Sequence, residues 1–241
     1  TGIRIPEDYD GLGLGHLELC VIAEELGRFL APVPYSSSVY LFTEAIINYG
    51  TDEIKKDILP KLVSGEVVGT LAVTENLYAP TKDNVNLSYL DGRINGKKIA
   101  VPDAGVATHA VVVAKSDKGI SLQLADLSET GVTIEHQENI DESRGHFSIS
   151  FNDVQTVLLG DEVSGWELYE SLINQAAVLF SYEQIGGSQA ALDMAISYAK
   201  ERYAFGRPIG SYQAIKHKLA DMYIALTLAK SNCYYAAWAL S

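Results

Sequence analysis

The hydrophobic period of this chain changes twice, and that alternation limits its architecture more than any single motif. From His16 to Ala31, apolar residues fall at Leu17, Leu19, Cys20, Ile22, Ala23 and Leu26, the spacing of one helix face. Pro32 and Pro34 should end that helix. Residues 41–49 read as a short apolar helix closed by Gly50. Thr51 can cap a helix over 52–62, with Asp52 and Glu53 where the dipole favours anions and Pro60 expected to kink or shorten it. From Val67 the period shortens. Runs at 67–74, 87–90, 93–101, 110–114, 120–125, 132–135, 147–151 and 154–159 read as strands, with Asp91-Gly92 and Asn95-Gly96 as turns. At Ser164 the helical period returns. Ser164-Gly165-Trp166-Glu167 reads as a capping box opening a helix that runs to about Arg202. That helix is apolar on most faces (Leu172, Ile173, Ala176, Ala177, Leu179, Phe180, Ile185, Ala191), which predicts burial among other helices. A second long helix runs from about Tyr212 onward, its pattern still continuing at Ser241. The expected fold is multi-domain and mainly α with a central β domain. It comprises an N-terminal helical domain over 1–66, a β barrel or sandwich over 67–160, and a C-terminal helical bundle over 161–241.

Composition narrows the partners. The 241 residues are 47% hydrophobic and 20% charged, which suits a globular chain with a sizeable core. A formal charge of −13 argues against nucleic acid and anionic membranes. No apolar run is long enough to span a bilayer and no signal peptide is evident. Cys20 and Cys233 lie in helical patterns without metal spacing and read as two buried free thiols, so a reduced cytoplasmic setting is expected.

The stretch from Arg202 to Ala214 (RYAFGRPIGSYQA) carries the most chemistry. Its arginines offer a fork of donors suited to phosphate oxygens, Phe205 a flat apolar face, and its glycines close backbone approach. The competing reading is a helix-to-helix turn with solvated arginines. Gly186-Gly187 upstream lowers helix propensity and points to close helix packing or a nearby ligand, packing being preferred.

Several stretches, in order and over nearly the whole chain, resemble the acyl-CoA dehydrogenase family. They are the Ile5–Gly13 loop (IPEDYDGLG), Thr74-Glu75, the hairpin Asn95-Gly96-Lys97-Lys98, Gln184–Asp193, the R-x-x-F-G of Arg202–Gly206, and Lys216–Met222. The resemblance implies FAD as cofactor and α,β-dehydrogenation of an acyl-CoA thioester. It implies that Arg202, Phe205 and Gln213 contact the adenosine and pyrophosphate end of the FAD of a neighbouring subunit. Leu71, Val73 and Thr74 fall where the β domain meets the isoalloxazine ring. Implied partners are the acyl-CoA substrate, an electron-transfer flavoprotein or similar acceptor, and a homo-oligomer or a related acyl-CoA dehydrogenase subunit. The implied setting is lipid metabolism, including β-oxidation. Family members are longer at both ends, so the chain is expected to be a fragment.

The chain also departs from the family pattern. Pro80 stands at the serine of the G-S-D segment after T-E, Ala100 at a tryptophan, and Pro102 at a threonine that meets the flavin. Proline has no amide hydrogen to donate. No catalytic base is identified. The helix position that carries it in some members is Ala176, followed by Ala177 where an arginine is common. Glu183, about two turns on, is the nearest carboxylate further along that helix, and His217 between two lysines reads as a solvated face. Three readings follow: a dehydrogenase with divergent flavin contacts, a weakly or non-catalytic subunit lending its loop to a partner's FAD, and a flavin-free assembly subunit. A monooxygenase on the same fold has no support in the residues.

Overall fold

In a computed structural model, which describes residues 1–141 and 143–240, the chain divides into two compact units. Ser241, where the last helical pattern runs on, lies outside the described residues. The first unit comprises residues 1–14 and 32–176, and the second residues 15–31 and 177–241.

The first unit is built on a closed β barrel. Its strands are β1 (Gly69–Ala72), β2 (Ser88–Leu90), β3 (Arg93–Pro102), β4 (His109–Lys115), β5 (Ile120–Asp126), β6 (Val132–Gln137) and β7 (His146–Leu159). The ring runs β4–β2–β3–β7–β5 and closes through the antiparallel β4–β5 pair, while β1 adds parallel to β4 and β6 antiparallel to β7. Ile94, Val101, Ala110, Val112, Ile149, Phe151 and Val154 fill the interior. The sequence reading split β7 at residues 152–153. The chain instead continues, because Asp153 takes up the turn at φ 56° and the ladder resumes on either side.

The stretch before the barrel also differs from expectation. The predicted helix over 41–49 is preceded by a π-helix, Ser36–Thr43, whose eight residues are all buried, and only then continues as α2 (Glu44–Tyr49). Phe42 explains part of that burial: its ring fills the space that a Cβ on Gly69 would occupy, 1.9 Å from Cγ. Helix α3 (Asp52–Ser64) is capped by Thr51, whose hydroxyl accepts from the Ile54 N–H at 3.3 Å. Pro60 does not end it. The carbonyl that proline leaves unpaired belongs to exposed Lys56, where water can serve it, while Ile54, Ile58, Leu59 and Leu62 hold the buried face. Helix α4 (Gly165–Glu201) begins as expected, but the capping box is rewired: the Ser164 hydroxyl donates to Asp161 at 2.6 Å and Glu167 pairs with Lys82 at 2.8 Å.

The second unit packs α1 (His16–Arg28) with the later part of α4 and with α5 (Gln213–Leu240). Its crossing of α1 with α4 is backbone on backbone. A Cβ on Gly27 would lie 1.9 Å from the Glu183 carbonyl oxygen, and one on Gly186 would lie 1.8 Å from that of Glu24. The paired glycines are therefore a packing device. Across the same unit Lys230 pairs with Glu24 at 2.5 Å and Arg28 with Asp193 at 3.2 Å. Burial of α4 on most faces holds at Leu172, Ala176, Leu179 and Ile185 but not at Ala177 and Ala191, which are exposed. Cys20 is buried as expected, whereas Cys233 is only half-buried, and both are free.

The crossing makes a graded prediction. Gly186→Ala should lower stability by about 3 kcal/mol, because rigid backbone must move. Gly187→Ala, whose Cβ would sit 3.3 Å from the Gly27 carbonyl, should cost much less, since helix propensity gains up to about 1 kcal/mol. Urea unfolding midpoints of the two variants would check the order.

Candidate functional site

Two corners of the molecule hold the residues singled out by sequence, one in each unit. In the second unit the loop after α4 is a small β-hairpin, β8 (Tyr203–Ala204) against β9 (Arg207–Pro208), leading into α5. The two residues at its tip, Phe205 and Gly206, have φ of 52° and 79°, the left-handed pair of a type I′ turn. The Tyr212 hydroxyl donates to the Ala204 carbonyl at 2.8 Å, and the Ile209 N–H to the Arg202 carbonyl at 2.8 Å, so the hairpin is braced from α5. Phe205 projects from the tip with 98% of its surface exposed.

The two arginines differ in engagement. The Arg207 guanidinium lies 4.0 Å over the Tyr212 ring. Among the described residues nothing pairs with the Arg202 side chain, which is exposed, as is Gln213. Arg202, Phe205 and Gln213 thus present a free donor fork, an aromatic face and an amide from one short segment.

In the first unit, Leu71 and Val73 are buried and Thr74 half-buried, at and just beyond the end of β1. This segment lies alongside β3. The Thr70 hydroxyl donates to the Pro102 carbonyl at 2.7 Å, and the Ile99 N–H to the Thr74 carbonyl at 2.7 Å. Between them, fully buried Lys98 donates to the Val73 carbonyl at 2.9 Å and to Glu75 Oε1 at 2.6 Å. Glu75 also accepts the N–H groups of Asn86 and Leu87. The T-E and N-G-x-K motifs are therefore joined by one buried ion pair. Burial pushes the Lys98 ammonium down to about 8, against the pull of Glu75.

Further residues here were missed from sequence. Buried Asp103, next to Pro102, accepts from the Ser37 hydroxyl at 2.5 Å and pairs with Arg144, which also reaches Ser36. The run Ser36-Ser37-Ser38 beside apolar residues was the available signal. Ala100 has φ of 51° at an irregularity in the β3–β7 register, and its N–H donates to the Gln137 side chain at 2.7 Å.

The base candidates gain nothing. Ala176 is fully buried and offers no carboxylate. Glu183 sits at the α1–α4 crossing, with its own backbone against Gly27. His217 is exposed, as its lysine neighbours suggested. Among the described residues no group of His, Cys, Asp and Glu could hold a metal ion, and no helix is long and apolar enough to cross a membrane.

Comparison with known proteins agrees with these features. The family profile for the acyl-CoA dehydrogenase N-terminal domain matches residues 1–66, and that for the C-terminal domain matches residues 163–241. Isovaleryl-CoA dehydrogenase, mitochondrial, of Solanum tuberosum is 32% identical over 255 residues, covering 98% of this chain and 61% of that protein. The structure of butyryl-CoA dehydrogenase from Megasphaera elsdenii aligns with a TM-score of 0.91 at 26% identity, over 98% of this chain and 67% of that one. The Tcur3481-Tcur3483 steroid ACAD aligns with a TM-score of 0.86 at 31% identity, over 99% of this chain and 64% of that one. The chain belongs to the acyl-CoA dehydrogenase family and has its fold of N-terminal helices, central β domain and C-terminal helices. It spans about three fifths of the length of the curated relatives it matches.

The family's cofactor is FAD, and the two corners fit it unequally. The hairpin fits: its free guanidinium, exposed ring and amide are suited to a nucleotide and its phosphates. The β1 corner fits at Thr74 and not at the residues the resemblance sets around it. Thr74 keeps a backbone N–H that no hydrogen bond among the described residues uses. Pro80 and Pro102 have no N–H, and Ala100 has no ring.

The Lys98 pair generates a pH prediction. An unfolded lysine holds its proton to its ordinary value of 10.5, whereas folded Lys98 releases it at about 8. Between those values the unfolded state binds more protons, so this group makes stability rise with pH. Urea midpoints measured across that window should show the stability of the wild type relative to Lys98→Met growing as pH rises.

Proposed function

We propose that this protein works as an FAD-dependent acyl-CoA dehydrogenase, an oxidoreductase acting on the CH–CH bond next to an acyl-CoA thioester. Bound FAD supplies a hydride acceptor. The observation that carries the reading is the unpaired Arg202 guanidinium beside the exposed Phe205 ring on a braced hairpin. Arg202 would hold the pyrophosphate of a neighbouring subunit's FAD as a charge-assisted fork, Phe205 would cover its adenosine end, and Gln213 would add a donor. Leu71, Val73 and Thr74 would face the isoalloxazine ring. Implied partners are an electron-transfer flavoprotein or similar acceptor and a second subunit, either a copy of this chain or a related dehydrogenase. The proposed location is cytoplasmic.

One observation favours a narrower version. Pro80, Ala100 and Pro102 would leave the chain's own ring corner without donors and an aromatic wall, while the hairpin that would serve a neighbour is fully formed. A subunit of this kind would do less chemistry itself and complete a partner's FAD site.

Arg202→Ala tests the reading. A hydrogen bond to a charged group lost here should cost about 1.5–3 kcal/mol, roughly a tenfold or greater loss of FAD affinity. Flavin absorbance per mole of assembled protein should fall, and Arg207→Ala should leave it unchanged, since Arg207 is stacked on Tyr212. Equal FAD content in Arg202→Ala and wild type would overturn the assignment. Flavin in the chain purified alone would decide against the narrower version.

A further inference from the structure

We propose that Lys98 is a positioning residue for the flavin, acting by fixing the direction of the Thr74 backbone N–H. This rests on the reading of the β1 corner as the resting place of the isoalloxazine ring.

The geometry is local. A trans peptide is planar, and its C=O and N–H point in opposite directions. The carbonyl of Val73 and the N–H of Thr74 belong to one such plane. Lys98 Nζ, fully buried, holds that carbonyl at 2.9 Å. The Thr74 N–H is thereby turned to the side away from Lys98, where no hydrogen bond among the described residues uses it. The next plane is held in the same manner, since the Thr74 carbonyl accepts from Ile99 at 2.7 Å. Glu75 closes the frame by taking the ammonium at 2.6 Å and two further backbone N–H groups, of Asn86 and Leu87. Residue 74 is thus tied on both sides to consecutive residues of β3, and its donor is left over.

An unused donor on a half-buried segment is costly unless something accepts from it. The edge of an isoalloxazine ring, with its ring nitrogens and carbonyl oxygens, is an acceptor of the right kind. It also leaves the corner a main-chain donor although Pro102 beside it has none. A buried lysine serving only the barrel could bond any carbonyl. This one takes the carbonyl whose plane carries the free N–H.

The test uses the full-length protein loaded with FAD. Lys98→Met alone leaves Glu75 buried without its partner and is expected to lose stability. The double variant Lys98→Met, Glu75→Gln removes the unpaired charge, at the loss of one of the two acceptors for the Asn86 and Leu87 N–H groups. The double variant should fold, melting between Lys98→Met and wild type, bind FAD about tenfold more weakly, and show a shifted visible absorption band of the bound flavin. A folded double variant with wild-type FAD affinity and an unshifted flavin band overturns the proposal. Wild-type protein that takes up no FAD at saturating concentration overturns the underlying reading and this one with it.

Discussion

A charge with no exposed surface dictates the arrangement around it. Lys98 cannot reach water, so the fold must bring it oxygen atoms, and it does so with the Val73 carbonyl and the Glu75 carboxylate. That requirement pins the end of β1 beside β3 and sets Glu75 against the backbone of Asn86 and Leu87. Because β3 also pairs with β7, and β7 with β5 and β6, the same ammonium lies on a strand tied into the ring of the barrel. The second unit meets its own constraint differently. There bare glycine backbone lets two helices touch, and the ion pairs of Lys230 and Arg28 sit around the crossing.

The order of helices, strands and helices was legible because each keeps its own period over many residues. What misled was local. Pro60 was expected to kink the helix or shorten it slightly because propensity treats proline alone, yet the helix runs on to Ser64, with Ile58, Leu59 and Leu62 packed on its buried face. The bend at Asp153 read as a strand end, though a residue at positive φ can turn the chain and leave the ladder in place on both sides. The π-helix has no signature in composition. It is specified by what surrounds it, Gly69 beneath Phe42 and Asp103 and Arg144 on its serines.

The candidate site was legible in part for a similar reason. Arg202 and Phe205 could be singled out because a hairpin's chemistry is contained in consecutive residues. Asp103, Arg144 and Gln137 could not, since each acts on a residue far along the chain, and only the folded barrel brings them together. Ala100 is instructive in this respect. Its substitution reads as a loss, yet its N–H, in a left-handed backbone, has acquired the Gln137 amide as a partner.

The tip of the β8–β9 hairpin carries a last implication. A type I′ turn is easiest with asparagine or glycine in both central positions, and Phe205 is a poor choice for its first. Asparagine there would relax the backbone and remove a ring that covers nothing among the described residues. Keeping a large aromatic in an unfavourable conformation, wholly open to solvent, is disadvantageous to an isolated molecule. It becomes reasonable for a surface whose counterpart lies outside the described residues, and the left-handed turn keeps the ring displayed for it.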